Sequence, residues 1–206
     1  EVDVLPSTDN VTVYSAFVND AEVRVVDLQG LDGNKKTEKQ MLKEMTQADL
    51  VLWVLKANQS ARDLDKQLND KLALFYADPK NISYKKPVVI AVVNQVDKLK
   101  PIAEWEPPYD LENPASAKAK IIVQAVAYNQ ELMHSDIALP LSISTTKTHF
   151  GVEALKQTLV DGIVEANNVQ RNRQSIEAMK RGKSFKKQID KTVNIGKKIV
   201  RGSISP

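Results

Sequence analysis

Short apolar runs alternate along the chain with longer amphipathic stretches, and their periods assign most of its elements. Val11-Thr12-Val13-Tyr14-Ser15-Ala16-Phe17 alternates at period two and predicts a half-buried strand. Asn19-Asp20 is turn chemistry, and Val23 to Leu28 follows as a second strand, so the pair reads as a hairpin. Lys35 to Gln47 is polar except for Met41, Leu42 and Met45 on one face, which predicts a helix. Leu50-Val51-Leu52-Trp53-Val54-Leu55 is continuously apolar, the pattern of a strand covered on both faces. Arg62 to Ala77 is helical, with Leu64, Leu68, Leu72 and Phe75 three or four apart. Pro87 to Val93 predicts a second fully covered strand, Ala115 to Met133 a long helix, Ile137 to Ile143 a short strand and Gly151 to Ala166 a helix. Four prolines make 101–114 a loop. Covered strands alternating with helices define an α/β fold around a mostly parallel sheet.

Composition narrows the chemistry. The 206 residues hold no cysteine and two histidines, His134 and His149. Disulfides, thiolate metal sites, cysteine nucleophiles and histidine-rich metal centres are excluded. No run approaches the eighteen apolar residues of a membrane-spanning helix, and Glu1–Pro6 has no signal-peptide character, so a cytoplasmic setting is expected. The net charge of +3 conceals an asymmetry. Residues 170–206 carry eleven Lys and Arg against two acids, a net +9, which leaves −6 for residues 1–169. Two units are expected, an α/β domain over 1–169 and a basic extension over 170–206.

In parallel sheets ligands gather beyond the carboxyl ends of the strands. Three polar boxes stand there in order: Asp27-Leu28-Gln29-Gly30, Asn94-Gln95-Val96-Asp97-Lys98, and Ser142-Ile143-Ser144-Thr145-Thr146-Lys147. The sequence D-x-x-G, then [NT]-[KQ]-x-D, then a serine-rich strand end resembles the P-loop GTPases. Within them it is most similar to the Era-like, ribosome-associated class and to small prophage-type bacterial GTPases, which share a Glu-Trp loop, here Glu104-Trp105. The resemblance covers residues 1 to about 166 and implies a three-layer G-domain fold, GTP or GDP as ligand with Mg2+, and magnesium-assisted GTP hydrolysis used as a switch. It casts Asp97 as the carboxylate that accepts both N1–H and N2–H of guanine. Asn94 would face the N7/O6 side, the stems of Gln95 and Lys98 would cover the base, and the Ser144-Thr145 loop would offer an N–H to O6. Ser142 competes with Ser144 for that assignment. Gly30 would meet the γ-phosphate, and Asp27 and Thr8 would hold magnesium, with Ser7 as the near-equivalent of Thr8. Asn94 and Asp97 could instead simply cap the following turn.

The departures matter as much. The residue after Gly30 is Leu31, where Ras-like enzymes carry the water-orienting glutamine, which leaves Gln29 as a weak catalytic candidate. No G-x-x-x-x-G-K-[ST] precedes Asp27, and Gly182-Lys183-Ser184 matches only its end. In the resembled family the strand bearing that loop lies mid-sheet, so its loss predicts two half-sheets with unpaired edges. A start at Glu1 beside the switch segment fits a chain beginning inside a longer protein. The rival expectation is a non-catalytic pseudo-GTPase scaffold. In the extension, Gly182, Phe185, Ile189, Val193, Gly196 and Val200 share one helical face and lysines crowd the rest. Such a helix suits an anionic membrane surface, ribosomal RNA or a protein partner, or folds back on the domain.

Overall fold

A computed structural model describes residues 11–18 and 21–202. Strands β1 (Thr12–Val18) and β2 (Ala21–Asp27) form an antiparallel hairpin in which Val18 faces Ala21 and Thr12 faces Asp27. Strands β3 (Leu50–Lys56), β4 (Val88–Asn94) and β5 (Ile137–Leu141) form a parallel sheet in that spatial order. Helices α1 (Lys35–Gln47), α2 (Asp63–Ala77) and α3 (Ala117–Met133) lie between strands, and α4 runs from Val152 to Gly202. The hairpin and the parallel sheet are separate, so among the described residues β2 and β3 each keep an unpaired edge.

Period two sorts the core into layers. Val51, Trp53 and Leu55 of β3 with Val89 and Ala91 of β4 meet Met45 of α1, Leu68 and Leu72 of α2 and Met133 of α3. On the other face, Ile90, Val92 and Leu141 are covered by Val152, Leu155 and Leu159 of α4. Full burial of each such side chain stabilises the fold by about 1.5–3 kcal/mol. Leu28 and Leu31, on either side of Gln29-Gly30, pack on the first cluster and tie the end of the hairpin to the domain.

The expectation that the Leu50–Leu55 run is covered on both faces is corrected on one of them. Leu52 is 41% and Val54 61% exposed, whereas Ile90 and Val92, on the same face of the neighbouring strand, are at most 1% exposed. The cause is reach: α4 covers β4, β5 and the start of β3 at Leu50, and among the described residues nothing covers Leu52 and Val54. The predicted helix 151–166 and the helical extension are one element of 51 residues. Residues 167–181 contain neither Gly nor Pro, so nothing stops helix propagation between them. Arg173 pins this helix to the sheet by donating to the Ala48 carbonyl and pairing with the Asp49 carboxylate. The Lys180 ammonium lies 4.7 Å from the Tyr84 ring centre.

Candidate functional site

The second and third boxes meet at the carboxyl edge of the parallel sheet. β4 ends at Asn94, and Gln95 turns the chain with φ 63°, left-handed and unusual for a residue with a Cβ. The Asn94 side chain steadies that turn by accepting the Gln95 N–H at 2.7 Å. A short 3-10 turn, Val96–Lys98, follows and sets Asp97 inward and Lys98 outward. Lys98 Nζ donates back to Gln95 Oε1 at 3.1 Å, so the two side chains expected over a base stand together.

Asp97 is only 6% exposed. A carboxylate held that far from water needs donors, and the third box supplies them. Ser142 Oγ donates to Asp97 Oδ1 at 2.8 Å, and Lys147 Nζ lies 3.5 Å from Oδ2. Ser142 itself is fully buried, at the point where β5 gives way to the loop, and its backbone bridges to Phe150 in both directions. Ser144 is half-buried in the loop: its hydroxyl bonds Thr146 and its carbonyl meets His149 Nε2. Of the two competing serines, Ser142 is the one brought to Asp97. Thr145 is exposed beside Ser144.

The Pro-rich loop closes over this junction. Trp105 Nε1 donates to the Thr148 carbonyl at 3.1 Å, and the rings of Trp105, Tyr109 and Phe150 pack with centroids 5.6–6.1 Å apart. The Tyr109 hydroxyl donates to Glu104 O and accepts from the Glu106 N–H. Glu104-Trp105 therefore belongs to a bracket that holds the serine-rich loop against the Asp97 turn. A cleft of about 380 Å³ opens beside it, bordered by Glu104, Glu106, Tyr109, Asp110 and Lys118, and does not include Asp97.

The first box stands apart. Asp27 closes β2 with its side chain exposed, and Gly30 is also exposed. Gln29 Nε2 donates to Asp32 Oδ2 at 3.3 Å, and Asp32 also accepts the Asn34 N–H that opens α1. Gln29 is thus held by its own loop. Thr8 and Ser7 lie outside the described residues. Among the described residues no three acidic or histidine side chains gather around a point. A divalent ion at Asp27 would take most of its ligands from phosphate oxygens and water, as magnesium commonly does. Sequence reasoning passed over Lys147 and Lys118; the latter's partners are backbone carbonyls, which leave no mark in a sequence.

No protein-family model and no curated protein matches the sequence. Among solved structures, the chain is similar to the LeoA bacterial dynamin GTPase from ETEC, at 12% identity and a TM-score of 0.42. The match spans 85% of this chain but 30% of that one, so the chain covers less than a third of its length.

Proposed function

We propose that the chain is the base-recognising part of a guanine-nucleotide switch of the Era-like class. One observation supports this above the others: a buried carboxylate, Asp97, presented at a strand end with one oxygen held by Ser142. Lys147 lies near the other oxygen at 3.5 Å, and the lone pairs left on the two oxygens suit the paired N1–H and N2–H donors of guanine. A site built around such pairing rejects a base lacking them by about 10⁴-fold. Asn94, Gln95 and Lys98 would frame the base, and the loop of Ser144 and Thr145 would close over O6. GTP or GDP is the ligand in this reading. Gly30 would lie against the γ-phosphate, and Asp27 and Thr8 would hold Mg2+ there. Residues 170–206 would tether the switch to a ribosome, an anionic membrane surface or a protein partner.

The alternative, a scaffold that keeps the base box without phosphate binding, draws support from the split sheet. Nothing lies between β2 and β3 in the described residues to carry a phosphate cradle, and the cradle's N–H groups and lysine ordinarily neutralise the nucleotide's charge. Titrating GDP and GTP, with and without magnesium, into the 206 residues and into a form extended upstream by about one strand–loop–helix unit (roughly 40 residues) separates the readings. The switch reading expects weak binding by the former and tight, magnesium-dependent binding by the latter. In the extended form Asp97→Asn should exchange guanine preference for xanthine preference. Retained GDP preference would remove Asp97 from the role.

A further inference from the structure

Lys118 breaks two local rules at once. It is fully buried, and it sits in the first turn of α3, where the helix dipole repels a cation and no acidic residue offsets it. Rule-breaking of this kind concentrates where function requires it. The compensation is specific. Lys118 Nζ donates to the carbonyls of Asp97 (3.0 Å), Leu99 and Pro101 (3.3 Å), three alternate residues of one descending segment. The Trp105 ring centroid is 5.4 Å from the same nitrogen. All three ammonium protons are therefore spent on backbone. Burial, and after it the nearby Lys147, lower the lysine's pKa, while Asp97 and Glu104 pull it back up.

We infer that Lys118 is a positioning residue: its ammonium, acting as a tethered cation inside a ring of three carbonyls, fixes the turn that aims Asp97 and locks it to the Trp105 bracket. The role in base recognition rests on the guanine reading above; the anchoring of the turn does not. Ser116 fixes the other side of the device, since its Oγ accepts the Ala119 N–H and sets the angle at which α3 presents Lys118. The carbonyls need a converging donor, not merely a side chain of lysine's bulk. An apolar chain of the same length fills the space and leaves three buried carbonyls unpaired.

The absence of cysteine makes a direct test available. Lys118→Cys in the full chain is alkylated while unfolded, once with an aminoethyl group that rebuilds a lysine-like ammonium and once with a neutral propyl group of similar length. Each is then refolded. The readout is amide exchange at Lys98 and Leu99, whose N–H groups bond Gln95 O and Val96 O within the turn, with the core strand residues Val89 to Val93 as the control for global folding. The ammonium adduct is expected to match the parent, and the propyl adduct to exchange about tenfold faster or more at Lys98 and Leu99 with the core unchanged. Equal protection by both adducts would reduce Lys118 to packing and overturn the inference. Should the propyl adduct fail to refold, Trp105→Leu, which removes the ring but keeps the ammonium and its three carbonyls, takes its place. It should leave Lys98 and Leu99 protected, and their loss of protection would assign the anchoring to the ring instead. GDP titration into the same adducts of the upstream-extended form separates the two layers. If the parent binds and the propyl adduct binds about tenfold more weakly, positioning of Asp97 is supported; equal binding overturns it. If no form binds GDP, the guanine reading falls and the exchange result still decides the anchoring.

Discussion

Ser142 and Ser144 lie two positions apart and face different surroundings. The period of the strand decides which one serves the site. β5 ends at Leu141, and the bridge between Ser142 and Phe150 continues the extended geometry by one residue, which turns the Ser142 hydroxyl inward to Asp97. By Ser144 the chain has left the sheet. Ser142→Ala removes a hydrogen bond to a buried carboxylate and should cost roughly 1–3 kcal/mol. Ser144→Ala, in a half-buried loop position whose hydroxyl bonds only Thr146, should stay within about 0.5 kcal/mol. Urea midpoints of the two variants check this, and equal losses would contradict the assignment. At this scale the sequence exposed the box Asn94–Lys98 because its side chains carry the chemistry. It left the two serines unresolved, because choosing between them needs the exact end of a strand, and it hid Lys118, because carbonyl partners exist at every residue.

Elements were more legible than the contacts between them. Each strand and helix expected from periodicity is present, with ends within a few residues of expectation except for the last helix, which runs on past Ala166 to Gly202, because period two and period 3.6 are local properties. The bare face of β3 was not legible. An apolar run is the same string whether its second face is covered by this chain or by something else, and Leu52 and Val54 report that α4 does not reach them. The joint between β5 and α4 shows how tightly elements constrain one another here. Gly151 has φ +83°, and a Cβ there would stand 2.0 Å from the Pro140 carbonyl oxygen. Backbone cannot yield as a side-chain tip does, so Gly151→Ala should destabilise by about 3 kcal/mol. It should also displace Phe150 and thereby the Trp105 bracket. A lowered urea midpoint together with a shifted Trp105 emission, measured in a Trp53→Phe background, is the expected result; an unchanged midpoint would show that the joint relaxes.

At the scale of the molecule the dominant fact is charge separated along a rod. The −6 of residues 1–169 and the +9 of residues 170–206 are joined by one continuous helix. No described helix is long and apolar enough to cross a membrane; the +9 of residues 170–206 predicts that any contact of the basic end with an anionic surface draws on charge. Retention on anionic vesicles or on ribosomes should then fall steeply between low and physiological salt, and deletion of 170–206 should abolish it. Retention indifferent to the deletion would place the contact elsewhere.

Helix α4 also has mechanical consequences. At 1.5 Å per residue its 51 residues make a shaft of roughly 75 Å, several times the thickness of the sheet it leaves. Its near end is seated directly after Phe150 and Gly151, next to the aromatic bracket over Asp97, and Arg173 provides a second bearing on Asp49 about 33 Å further along. A shaft held at two bearings does not bend freely where it leaves the second. It turns a change in seating angle into travel at the tip: a tilt of about 5° about the second bearing carries the far end, about 43 Å on, by roughly 4 Å. Whatever repacks Phe150 thereby gains leverage on the far end of the helix.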